Sequence, residues 1–161
     1  MFDPVQVCTV LNEEGVAYVV VGGFAAVIHG SSLPTRDLDV VPSREQPNLE
    51  RLGRALQRMH AKIRTSGEPV PAPLDGRFLA NVPLMLNLVT DFGDLDLTFV
   101  PSGPLSGFTE WERAAIVVDI ADGVTVHVAA LDDVIASKRA ANRLKDQRDL
   151  PYLESLREQL G

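Results

Sequence analysis

Two segments, Asp37-Leu38-Asp39-Val40 and Asp94-Leu95-Asp96-Leu97, constrain this chain most. Each alternates an acid with a large apolar residue, and a β-strand sends successive side chains to opposite faces. Asp37 and Asp39 therefore share one face, about 7 Å apart. Leu38 takes the other face. Asp94 and Asp96 repeat the pattern on a later strand, with Leu95, Leu97 and Phe99 behind them. Unpaired carboxylates are costly to bury. An exposed edge strand, charged against aggregation, would account for one such pair. Two pairs in one small sheet point to a shared metal site, because Mg²⁺ takes carboxylate oxygens together with substrate phosphates. Two metals about 3.5–4 Å apart, bridged by carboxylates, clamp both oxygens of a phosphoryl displacement.

The surrounding pattern predicts one domain over residues 1–161, within the ordinary size range. A helix runs from about Pro4 to Glu14, with Asp3 as its N-cap and Gly15 as its stop. Ala17 to Val21 reads as a buried strand, Phe24 to His29 as a short helix ended by Gly30, and Asp37 to Val41 as a second strand. Leu49, Leu52, Leu56 and Met59 have helical spacing after Pro47. Thr65 to Pro83 is proline-rich and reads mostly as loop. Leu84 to Val89 and Asp94 to Val100 form a hairpin around Thr90-Asp91-Phe92-Gly93. Residues 101–109 read as loop. Ala114 to Val118 and Val124 to Ala129 form a hairpin around Asp122-Gly123, and Leu131 to Leu160 is helical with a break near Asp146 or Pro151. Helices at both ends of a mixed sheet indicate an α/β or α+β domain with a helical C-terminus.

Composition narrows the chemistry. The net charge of −7 argues against a general nucleic-acid coat, since phosphate contacts supply most non-specific affinity. Two basic groups remain, Arg51, Arg54, Arg58, Lys62 and Arg64, and Lys138, Arg139, Arg143, Lys145 and Arg148. They read first as solvated helix faces. Cys8, the lone cysteine, reads as core, and His29, His60 and His127 are scattered, which speaks against a cysteine- or serine-based hydrolase. No apolar run is long enough for a transmembrane helix, and the N-terminal residues lack a basic signal segment, so the expected location is cytoplasmic, with no membrane partner.

Two further features bear on function. Gly22-Gly23 sits at a strand-to-helix junction, where glycines let the backbone approach a ligand and free N–H groups favour a phosphate. It also reads as a tight turn without a ligand. Along the C-terminal helix, Leu131, Val134 and Ile135 share a stripe that Lys138, Asn142, Lys145 and Asp149 continue. A lysine there either snorkels to water or enters a polar cavity lined by the carboxylates.

Together these residues resemble the nucleotidyltransferase-fold superfamily. The matching segments are Val21-Gly22-Gly23-Phe24-Ala25-Ala26, His29-Gly30, Thr35-Arg36-Asp37-Leu38-Asp39-Val40, Gly93-Asp94-Leu95-Asp96-Leu97 and Ser137-Lys138-Arg139-Ala140-Ala141, with Arg143, Lys145-Asp146 and Asp149-Leu150. Within it, the chain resembles small prokaryotic AbiEii-type and minimal nucleotidyltransferase proteins. The resemblance implies a nucleotidyltransferase fold, with a nucleoside triphosphate, ATP included, as substrate. It implies that Asp37, Asp39 and Asp96 hold one or two Mg²⁺, Asp96 fitting the third carboxylate better than Asp94 and serving as general base. It implies nucleotide binding by Gly22, Gly23, Thr35, Lys138, Arg143 and Asp146, Lys138 also supporting catalysis. The acceptor would be an RNA such as tRNA, or a protein, including a cognate toxin or antitoxin.

The sequence departs from the family at three points. Gly23 stands where many relatives have serine, Leu33 where many have arginine, and larger members carry an extra acceptor domain where this sequence ends at Gly161. A regulatory module that binds a nucleotide without turnover is the main alternative. Phe108 and Trp111 suggest a contact surface.

Overall fold

The computed structural model describes residues 1–161. Helices α1 (Pro4–Glu13), α2 (Gly22–Ile28), α3 (Gln46–Arg58), α4 (Gly76–Ala80), α5 (Phe108–Arg113), α6 (Leu131–Ala141) and α7 (Leu144–Leu160) surround seven strands. These are β1 (Tyr18–Val21), β2 (Asp37–Pro42), β3 (Lys62–Ile63), β4 (Met85–Thr90), β5 (Gly93–Thr98), β6 (Ile116–Ala121) and β7 (Val124–Val128). The strands make one mixed sheet in the order β3-β4-β5-β2-β1-β7-β6. β2 pairs with β5 and β1 with β7 in parallel, and the other neighbours are antiparallel. The expected mixed α/β architecture with a helical C-terminus is present. No helix is long and apolar enough to cross a membrane.

Local chemistry accounts for much of this. The Asp3 carboxylate accepts from the Gln6 N–H and caps α1, and Gly15 ends the segment at a φ of +75°. Thr90 closes the β4–β5 turn by donating its hydroxyl proton to the Gly93 carbonyl and accepting from the Phe92 N–H. Leu38, Val40, Leu95 and Leu97 enter the main core with Leu11 of α1 and Leu49, Leu52 and Leu56 of α3. A smaller cluster, Ala26, Leu131, Ile135 and Leu153, ties α2 to α6 and α7. One side of the sheet is thus closed by hydrophobic packing, and the C-terminal helices are fastened beside the acidic strands.

Two local expectations are corrected. The C-terminal helix breaks at Asn142, earlier than either predicted point. Asn142 takes a left-handed φ of +51°, which asparagine tolerates, and an Arg143–Asp146 capping box opens α7. Pro151 lies inside α7 without ending it. The Thr65–Pro83 segment is mostly loop, as expected, and holds in addition the short α4, whose N-cap is Asp75. Trp111 belongs to α5 and is only 1% exposed, so it forms core against β1 and β2 and not a contact surface.

Candidate active site

The parallel register of β2 and β5 sets Asp37 opposite Asp94 and Asp39 opposite Asp96, so the acidic faces of both strands coincide. Carboxylate oxygens of Asp37, Asp39 and Asp96 lie within 4.8 Å of one another. Asp94 is outside this group, with Oδ2 3.4 Å from Arg64 Nη1. Arg64 follows β3 and reaches across β4. It donates Nη2–H to Asp96 Oδ1 at 2.7 Å and Nη1–H to the Leu88 carbonyl at 3.2 Å.

The cluster is short of positive charge. Burial raises Asp39 above the ordinary carboxylate range, and the Asp37 charge adds to the effect, while Lys145 and Lys138 oppose it. Burial also raises Asp96, followed by hydrogen bonding with Asp37 and the charge of Asp39, against the pull of Arg64. Three hard oxygen donors, crowded and undercompensated, form a donor set that suits Mg²⁺.

The glycine pair is shaped by these same residues. Gly22 has a φ of +67°, and a Cβ there would meet Asp39 Oδ2 at 2.2 Å. A Cβ at Gly23 would lie 3.0 Å from Thr35 Oγ1, so a serine at this position would crowd that hydroxyl. Thr35 Oγ1 donates to the Asp37 carbonyl at 3.1 Å, which ties the loop before β2 to the acidic strand. Gly22 is therefore packed against the Asp39 carboxylate, and Gly23 and Thr35 pack against each other beside the start of β2.

The C-terminal residues form a second layer. The Asp146 side chain is fully buried and accepts from Arg143 Nε at 2.7 Å and from the Arg143 backbone N–H at 3.1 Å. Lys138 Nζ lies 3.6 Å away. Burial works to raise Asp146, yet the Arg143 hydrogen bonds and the Lys138 charge outweigh it and hold the group below its ordinary range. Asp146 is thereby spoken for by its own cations and faces no ligand space directly. Lys138 remains close enough to act on Asp39, and Arg143 feels both Asp37 and Asp39.

Two charged residues were absent from the sequence-based site. Lys145 is exposed and also acts on Asp39; its place on the Lys138 stripe was the available signal. Arg64 had only its place in the first basic group, since it follows a two-residue strand without periodicity. Four other members of the basic groups are in surface pairs: Arg54 and Arg58 with Glu13 and Glu14, Arg139 with Glu154, and Arg148 with Asp149. Burial pushes the Cys8 thiol up to about 11, unlike a nucleophile, and His29 Nε2 is held by the Ala129 carbonyl at 2.8 Å. A cavity of about 770 Å³ lies elsewhere, lined by Pro42, Ser43, Arg44, Phe99, Phe108 and Arg113 among others, and includes none of the three clustered carboxylates.

Comparison with family models and with curated proteins finds no match. Solved structures do match. The lincosamide antibiotic adenylyltransferase LnuA, determined with lincomycin bound, superposes with a TM-score of 0.61 over 94% of each chain at 14% identity. TM1012 from Thermotoga maritima, provisionally assigned as a nucleotidyltransferase, gives 0.54 over 99% of this chain and 95% of its own, at 16% identity. JHP933 from Helicobacter pylori gives 0.50 at 14% identity, with 93% of this chain covering 63% of that one. The chain has the nucleotidyltransferase fold.

Proposed function

We propose that this protein is a Mg²⁺-dependent nucleotidyltransferase, moving a nucleoside monophosphate from a nucleoside triphosphate to a hydroxyl of an acceptor. The observation that carries the reading is the Asp37–Asp39–Asp96 cluster, built by two parallel strands in register within this fold. These three residues would hold the metal, which when bound neutralises phosphate charge and makes the acceptor hydroxyl easier to deprotonate.

The chain's own residues supply the rest. Gly22, Gly23 and Thr35 shape the turn beside the carboxylates where a triphosphate would approach. Lys138, Arg143 and Lys145 supply positive charge on the α6–α7 side, and Asp146 fixes the first two in place. Asp96 takes the proton from the acceptor hydroxyl. The acceptor oxygen forms a bond to the α-phosphorus, the bond from that phosphorus to the bridging oxygen breaks, and pyrophosphate leaves. Positioning and charge neutralisation account for most of the rate.

The acceptor is an RNA or a protein, including a toxin or antitoxin partner. LnuA, named for a lincosamide, makes a small hydroxylated molecule the competing class. The test is transfer of α-³²P label from each of the four nucleoside triphosphates, with Mg²⁺, into total RNA, total protein or lincomycin. The Asp37→Ala/Asp39→Ala double variant runs alongside. Label in the RNA or protein arm that vanishes in the variant supports the reading, and label only in lincomycin changes the acceptor class. Nucleotide binding without label in any arm favours a regulatory module.

A further inference from the structure

We infer that Arg64 is a built-in counter-ion of the carboxylate triad, filling part of the charge deficit that a divalent cation would fill and so setting how tightly the site takes a metal. This rests on the metal-dependent reading above and concerns a residue which that reading does not use.

The geometry is specific. Arg64 leaves the sheet edge after β3, crosses β4 and ends between Asp94 and Asp96 of β5. Its backbone N–H donates to the Asn87 carbonyl at 2.9 Å, and Nη1–H donates to the Leu88 carbonyl at 3.2 Å. Its side chain is 27% exposed, against 61% for Arg143. Of the basic side chains, Arg64 alone makes a direct ion pair with a member of the triad. Lys138 is committed to Asp146, and Lys145 acts on Asp39 only from a distance.

Two consequences follow from this placement. First, Arg64 withdraws Asp94. The parallel register offers four carboxylates on one face, and the guanidinium beside Asp94 Oδ2 leaves three for a cation. Second, Arg64 competes with the cation, because a fixed positive charge on Asp96 Oδ1 repels an ion seated among the other oxygens. At a separation of a few ångströms in a partly exposed site, that repulsion weakens binding by about tenfold or more. Orientation of Asp96 works the other way, yet freeing one short side chain costs only about a few-fold. The repulsion wins, so removing the guanidinium tightens metal binding. A purely structural role predicts the opposite sign.

The experiment is a Mn²⁺ titration, by calorimetry and by the electron paramagnetic resonance of free ion, on the full chain without nucleotide. Wild type, Arg64→Met, Arg64→Gln and Arg64→Lys are compared near neutral pH, with circular dichroism confirming the fold. Arg64→Met is expected to bind Mn²⁺ about tenfold more tightly than wild type, and Arg64→Lys within about threefold of it. Arg64→Gln gives the same increase should Arg64→Met fail to fold. Unchanged or weaker binding in the folded neutral variants, beside a wild type that binds, overturns this inference alone. A folded wild type that takes no Mn²⁺ overturns the metal-dependent reading and this inference with it.

Discussion

Asp96 and Asp146 are both nearly closed to water, 6% and 0% exposed, yet their surroundings are opposite. Asp146 is answered by fixed cations: the Arg143 guanidinium twice over and Lys138 once. It is held below its ordinary range. Asp96 is answered mainly by more acid, with Asp37 and Asp39 beside it and one guanidinium against them, and it is pushed above that range. A buried acid matched by its own cations stabilises a junction between helices. A buried acid grouped with other acids leaves a deficit that a diffusible cation can fill, and such perturbed groups concentrate at functional sites.

The sharpest way to break this contrast is to change one member of the acidic group. Asp39→Asn is expected to reduce nucleotidyl transfer by at least about a hundredfold. In metal-free buffer it should melt no lower than wild type, because the change removes repulsion. Near wild-type transfer by Asp39→Asn would sink the site assignment.

The reverse pattern is expected at the other carboxylate. Asp146→Ala leaves Lys138 without its partner and should lower unfolding free energy by about 3 kcal/mol in urea denaturation. A loss well under about 1 kcal/mol would mean that Asp146 is not the anchor described here. Gly22→Ala comes next. Its left-handed backbone and the close approach to Asp39 predict a cost of about 1–3 kcal/mol, together with weaker Mn²⁺ binding. An unchanged Mn²⁺ titration would separate the glycine from the site.

The smallest effect is in the pH dependence, and its sign differs between the two regions. Asp39 and Asp96 hold protons more tightly folded than unfolded. Their contribution is therefore present at low pH and lost as pH rises from the ordinary carboxylate range through their raised values. Asp146 does the opposite, contributing above the ordinary range and losing that contribution as pH falls through its lowered value. Thermal melts of metal-free protein should show the Asp39 and Asp96 loss as pH rises through about 6 and about 8, and Mg²⁺ should abolish it. Asp146→Asn should change only the acid limb. A loss over that range that ignores both Mg²⁺ and Asp39→Asn would remove the titration of this cluster as its cause.

What was legible in the sequence was local. Alternation put Asp37 with Asp39 and Asp94 with Asp96. Helical spacing found α3, and turn residues found both hairpins. The elements that escaped have weak local signals: β3 is two residues long, α4 sits in a proline-rich stretch, and α5 follows a loop. The break after α6 depends on one left-handed asparagine and a cap whose arginine and aspartate are three residues apart.

By itself, the sequence determined which residues could share a strand face, because the two-residue period of a strand is set by the backbone. Alternation alone did not choose between Asp94 and Asp96, although the family resemblance favoured Asp96. That choice depends on the register of β5 against β2, a pairing between segments more than fifty residues apart, and on Arg64 arriving from the sheet edge to occupy Asp94. Nor could it separate Asp96 from Asp146, two acids of one chemistry, since burial and neighbouring charge are properties of the packed chain. Tertiary structure decided which acid was neutralised and which was left with a deficit, because electrostatic energy depends on distances in space.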